Sequence, residues 1–188
     1  MKYSNPITVA VVAVTLAMLS PARAESLPPG QVDFGKFSPP GGGGEFVEVN
    51  VGASLISLAA SFLQKEEPDV AQLLNGLQLV RVNVIGVSEE NRAEVQKRSE
   101  TVRQELDGKG WERIVAAQQK DQDVSIYLKT QGKDTVQGLV VMVMEGNRQA
   151  VFVNIVGNIK PEQLATLGDR LHLDPLKKIG AATKKNEQ

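Results

Sequence analysis

Few side chains in this 188-residue chain could do chemistry, and their spacing narrows the choice further. There is one histidine, His172, and no cysteine. No zinc set can be assembled from those, and neither a disulfide nor a lipid-bearing N-terminal cysteine is available. A Ser-His-Asp relay would have to use His172, and no serine stands in a G-x-S-x-G turn. Asp121-Gln122-Asp123 has the opening of a calcium loop but lacks its glycine and its distal glutamate, so it reads as a turn between strands. Carboxylate chemistry remains, because two acids that converge only in space leave no local signature. Glu48, between Val47 and Val49, is the one acid in an apolar context, and strand alternation accounts for those neighbours. No cofactor is implied.

A second set of residues points to binding. Val47-Glu48-Val49-Asn50-Val51, Val80-Arg81-Val82-Asn83-Val84 and Val151-Phe152-Val153-Asn154-Ile155 share the form V-x-V-N-(V or I). Each precedes a glycine, Gly52, Gly86 or Gly157, and then a helix-like segment. Strand, glycine, helix is also how phosphates are cradled. The following residues, "GASLIS", "GVSEEN" and "GNIKPE", match neither G-x-G-x-x-G nor the P-loop form, so these glycines are expected to serve geometry, ending strands where positive φ is cheap. In a strand the valines point one way, toward covering helices, and Glu48, Asn50, Arg81, Asn83 and Asn154 point the other. Together with Tyr127 and Lys129 they are candidate contacts of a polar sheet face for a ligand, a glycan or another chain; an ordinary solvated face is the plainer reading.

Elements must position these residues. The first 24 residues have the layout of a secretory signal: Lys2, an apolar stretch from Ile7 to Leu19, and Ala22-Arg23-Ala24. Cleavage is expected after Ala24, giving a periplasmic or secreted protein with no membrane-spanning segment left. The whole chain carries 21 basic and 22 acidic residues. Loss of Lys2 and Arg23 takes the net charge to about −3, which gives no reason to propose nucleic acid as a partner.

Residues 25–44 form a Pro/Gly-rich leader, expected to be flexible or extended, whose Phe34 and Phe37 are candidate contacts with the domain or with a partner. One α+β domain is expected over 45–173, followed by a short helix and a frayed Lys-rich tail over 174–188. Periodicity predicts strands near 45–51 and 78–86, and helices at 53–64 and 67–76. A thin-striped helix follows from an N-cap at Ser88 to Leu106, packing through Val95, Val102 and Leu106. Four strands near 111–118, 123–130, 136–144 and 149–156 are joined by short turns at 131–134 and 145–148, and a last helix begins near Pro161. The order β-α-α-β-α-β-β-β-β-α gives a largely antiparallel sheet of about six strands with helices mainly on one face. Leu139 to Met144 is apolar at every position, so the sheet must be covered on both faces there, by a central position, the leader folding back, or a homodimer. Trp111 is expected to anchor its strand in the core.

The run "QGLVVMVMEGNRQAVFVNIVGNIKPEQLATLGDRL", with "DVSIYLKTQG" before it, resembles the closing half of the domain of unknown function 4252 family of bacteria. The similarity extends weakly back to Glu45. It implies an exported envelope protein with no catalytic residues to carry over. The resemblance also implies a neighbourhood with extracytoplasmic sigma factors, hence a component of an envelope stress-sensing relay as one reading. The reading adopted is a non-catalytic envelope protein that binds a protein or envelope component; a carboxylate-based hydrolase acting on glycan is the alternative.

Overall fold

The computed structural model describes residues 27–132, 134–160 and 162–170. The stretch expected to be a secretory signal, His172 and the Lys-rich tail lie outside them. Six strands, β1 Phe46–Gly52, β2 Leu77–Gly86, β3 Glu112–Gln119, β4 Gln122–Gln131, β5 Thr135–Glu145 and β6 Gln149–Ile159, form one sheet in the order β1-β2-β6-β5-β4-β3. Every neighbouring pair is antiparallel. The helices are α1 Ala53–Leu63, α2 Pro68–Gly76, α3 Arg92–Gly108 and α4 Gln163–Arg170.

Period-two alternation becomes a layered structure because the registers keep valines in line across the strands. One rung runs Val49, Val82, Val153, Val141, Ile126, Val115; the next runs Val47, Val84, Val151, Val143, Val124, Ala117. Ile56 of α1, Leu73 of α2 and Leu164 of α4 pack in the core built on this valine face. The opposite face carries a second core, in which Val95, Val102 and Leu106 of α3 meet Tyr127, Val140, Met142 and Phe152. Three helices therefore lie on one face and the longest on the other.

Strand β5, apolar from Leu139 to Met144, and its neighbour β6 are the two central strands, largely buried on both faces, as their composition requires. The leader does the remaining covering. Val32 and Phe34 belong to the second core, and the rings of Phe34 and Phe37 lie 5.6 Å and 5.0 Å from that of Phe152. Of the flexible and extended forms expected of the leader, residues 30–37 take the extended one and dock on the domain, and burying an aromatic side chain contributes about 1.5–3 kcal/mol toward holding them there.

Two local expectations also change. None of Gly52, Gly86 and Gly157 has a positive φ; the first two end β1 and β2, whereas Gly157 lies inside β6, where a Cβ would strike the backbone of Gly76 and Leu77 at the α2–β2 junction. Its role is close backbone approach. Ser88 does not cap α3, which starts four residues later. Asn91 instead accepts from the Ser88 N–H at 2.8 Å and donates to the Gly86 carbonyl at 2.8 Å, closing a turn before the helix.

Candidate functional site

Pairing brings the polar V-x-V-N residues side by side. Glu48 stands opposite Asn83, and Asn50, Arg81 and Asn154 form one rung that continues through Val140 to Tyr127 and Arg113. The expected continuous patch is nevertheless split. Glu48 and Asn50 are exposed and Arg81 half-buried, whereas Asn83, Tyr127 and Asn154 are buried. The leader lies over the middle of the rung, and beside it a groove of about 330 Å3 remains, lined by Asn50, Arg81, Gln31 and Gln78.

Asn154 shows why the leader docks there. Its amide donates to the Gly30 carbonyl at 2.9 Å and to the Leu139 carbonyl at 3.2 Å, and its Oδ1 accepts from the Val32 N–H at 2.9 Å. A buried amide with no exposure is stable only when its bonds are made, and here the leader makes two of the three. Gly30, at φ 86°, lies directly on Gly138, where a Cβ would come within 2.6 Å of the Gly30 Cα and of Trp111 Cη2. Trp111 is buried in this core, as expected of an anchor, and Lys129 Nζ sits 5.9 Å from its ring. Phe34 is fully buried and Phe37 half-buried, so both candidate leader contacts are spent within the chain.

Tyr127 lies next to Arg113 on the same rung beneath α3, and its buried hydroxyl makes no hydrogen bond of good geometry, the Arg113 side chain being the polar group nearest in effect. Burial pushes the phenol above its ordinary value; the Asp107 carboxylate adds to the rise, and Arg113 and Arg103 oppose it.

A larger concavity lies between the first half of α3 and the β3–β4 turn. It measures about 610 Å3 and is lined by Gln96, Ser99, Arg103, Gln118, Gln122 and Asp123, among others. Ser99, 3% exposed, occupies the middle of the inward stripe of α3, and its hydroxyl has no partner. On the same helix Thr101 follows the usual habit and bonds back to the Lys97 carbonyl at 2.9 Å, which Ser99 does not do with Val95. Three acids, Glu100, Asp121 and Asp123, also line the cleft. Arg103 donates to Asp123 Oδ2 at 2.8 Å and lies 3.9 Å from Glu100. Two of the three carboxylates thus share one guanidinium.

The sequence reading did not find this cleft, since its two walls are about 20 residues apart and meet only when α3 lies over the sheet. One signal was present: the stripe Val95, Val102, Leu106 has a serine where its missing apolar member belongs. Among the described residues no group of histidine, cysteine or acidic side chains is placed to hold a metal, and no helix is long and apolar enough to cross a membrane.

The profile of a domain of unknown function, DUF4252, matches residues 42–167, about two thirds of the chain. The chain belongs to the DUF4252 family. Within the DUF4252 match fall all six strands, α1 to α3, the cleft and the exposed part of the polar strip, whereas the docked leader from Leu27 to Gly41 precedes it. No curated protein and no solved structure matches the chain.

Proposed function

We propose that this DUF4252 protein is a non-catalytic, exported protein of the bacterial envelope that binds a hydroxyl-rich envelope component, of glycan type, in the cleft beneath α3. The observation that carries this reading is the buried, unpartnered Ser99 hydroxyl beside the cleft of about 610 Å3. A buried hydroxyl without a partner costs about 1–3 kcal/mol, which a ligand hydroxyl would recover. The remaining lining suits the same chemistry. Gln96, Gln118, Gln119 and Gln122 offer donors and acceptors in equal measure, and Lys97, Arg103 and Lys120 balance Glu100, Asp121 and Asp123, so no strongly charged ligand is preferred. Export rests on the secretory layout of residues 1–24.

Three acids in one cleft also give the hydrolase reading a physical basis, although Asp123 is already engaged in an ion pair with Arg103. One experiment separates the two. The mature chain, residues 25–188, is titrated with chitotetraose while amide shifts are followed by NMR, and the same mixture is analysed for cleavage products by mass spectrometry. Saturable shifts at residues 96–103 and 118–123 without products are expected. Products would establish the hydrolase instead, and an absence of cleft shifts with chitotetraose, cellotetraose and maltotetraose alike would refute glycan binding there.

A further inference from the structure

The two edges of the sheet are built differently. Strand β3 is interrupted by a register shift between Arg113 and Val115 and carries Glu112, Arg113, Gln118 and Gln119, features that discourage pairing with another chain. Strand β1 has no such interruption and carries a single charge, Glu48. Its seven residues, FVEVNVG, pair with β2 without a break and include no proline, lysine or bulge, and among the described residues nothing pairs with its outer side. Val47 and Val49 remain 40% and 38% exposed on the valine face at this edge.

Backbone direction along β1 follows from one bond. The Glu45 carbonyl accepts from the Gly86 N–H at 2.7 Å, so the odd residues of β1 turn their backbone groups toward β2, and Phe46, Glu48, Asn50 and Gly52 turn theirs to the open edge. A second β1, related by a two-fold axis normal to the sheet through Val49, would set Glu48 opposite Asn50 and Phe46 opposite Gly52, pairing outward groups with outward groups. About eight backbone hydrogen bonds would form. Val49 would meet its own copy and Val47 would meet Val51, all on the valine face. Moving the axis to residue 48 would place Glu48 against itself, a like-charge pair on one face, so the sequence V-E-V-N-V selects its own register.

We infer that β1 is a homodimerisation edge: two copies of this chain join antiparallel through β1 about Val49, making one twelve-stranded sheet. The interface is isologous and closed, so it ends at two subunits and does not grow into a filament. It removes Val47 and Val49 from water and brings the Glu48–Asn50 strips of the two copies together.

The absence of cysteine in the chain makes the test direct. Residues facing each other in a non-hydrogen-bonded antiparallel pair have Cα atoms about 4.5 Å apart, within disulfide reach. Under mild oxidation the Val49→Cys variant of the mature chain is expected to crosslink into a dimer, and Val47→Cys, which would face Val51 of the other copy, is not. Light scattering should show Val49→Lys and Val49→Glu each as monomers and their equimolar mixture as a dimer. A wild-type chain that stays monomeric at millimolar concentration would overturn the inference, as would equal crosslinking at 47 and 49. So would dimers lost on Phe62→Lys, at the 75% exposed apolar side chain of α1, yet retained in Val49→Lys.

Discussion

Asn154→Ala tests whether the leader is a working part of the fold. The substitution removes a side chain with no exposed surface that holds the Gly30 and Leu139 carbonyls and the Val32 N–H. If the leader stayed in place, the Val32 N–H and the Gly30 carbonyl would be buried without partners, at about 1–3 kcal/mol each. If it detached, both groups would rehydrate, and the loss would be the burial of Val32 and Phe34, about 1.5–3 kcal/mol each, offset by the freedom the leader regains. Detachment is the less costly route. The expected loss is therefore about 2–4 kcal/mol, with a smaller denaturant m-value because a detached leader has less surface left to expose.

Hydrogen exchange reads this most directly. The Val32 amide should exchange roughly 30- to 1,000-fold faster in the variant, on the scale of tenfold per 1.4 kcal/mol. Trypsin should cut at the exposed Lys36 while the rest of the domain resists. Val32 exchange unchanged in Asn154→Ala, with stability within about 0.5 kcal/mol of wild type, would refute the argument that this amide clamps the leader.

Other outcomes follow from the same geometry. Gly138→Ala would drive a methyl into the Gly30 backbone and Trp111, so it should release the leader with the same exchange pattern, and its effect should fall well short of adding to that of Asn154→Ala in a double-mutant cycle. Gly157→Ala places a methyl against the Gly76 and Leu77 backbone and should cost about 1–3 kcal/mol in urea unfolding with the leader's exchange unaffected. For Tyr127 the folded phenol holds its proton more tightly than the unfolded one, so its contribution is fully present below the unfolded value near 10 and is lost as pH rises through the higher folded value. Ultraviolet titration should show one tyrosine ionising late, and Tyr127→Phe should remove that part of the alkaline loss of stability. With only the Arg113 side chain near the hydroxyl and no bond of good geometry, the same variant should change stability at pH 7 by less than about 1 kcal/mol in thermal unfolding.

Much of the fold was legible because it rests on local patterns. Alternating valines mark β1, β2 and β6, the glycine turns at Gly132 and Gly146 mark the hairpins, and the unbroken apolar run of β5 requires a central strand. The candidate site was legible only in part. Shared parity placed Glu48, Asn50, Arg81, Asn83 and Asn154 on one face, and the registers made them neighbours. Parity carries no information about what covers a face, so the burial of Asn83, Asn154 and Tyr127 did not follow from it. Composition made residues 30–37 look like a linker for a similar reason: prolines and glycines lower local order, while the contacts that fix this stretch come from residues more than a hundred positions away.

The sequence by itself determined the period of each element, the turns between them, the absence of thiol chemistry and of any multi-histidine site, and the self-complementary run at β1, because each of these is a property of neighbours along the chain. Only the tertiary structure decided that α3 crosses to the face opposite the other helices and that Asn154 serves the leader. The same holds for the Ser99 hydroxyl, which is buried beside a cleft without bonding a helix carbonyl. Those outcomes depend on which surfaces meet, and a hydrogen bond or a buried ring draws its energy from a partner that sequence distance does not specify.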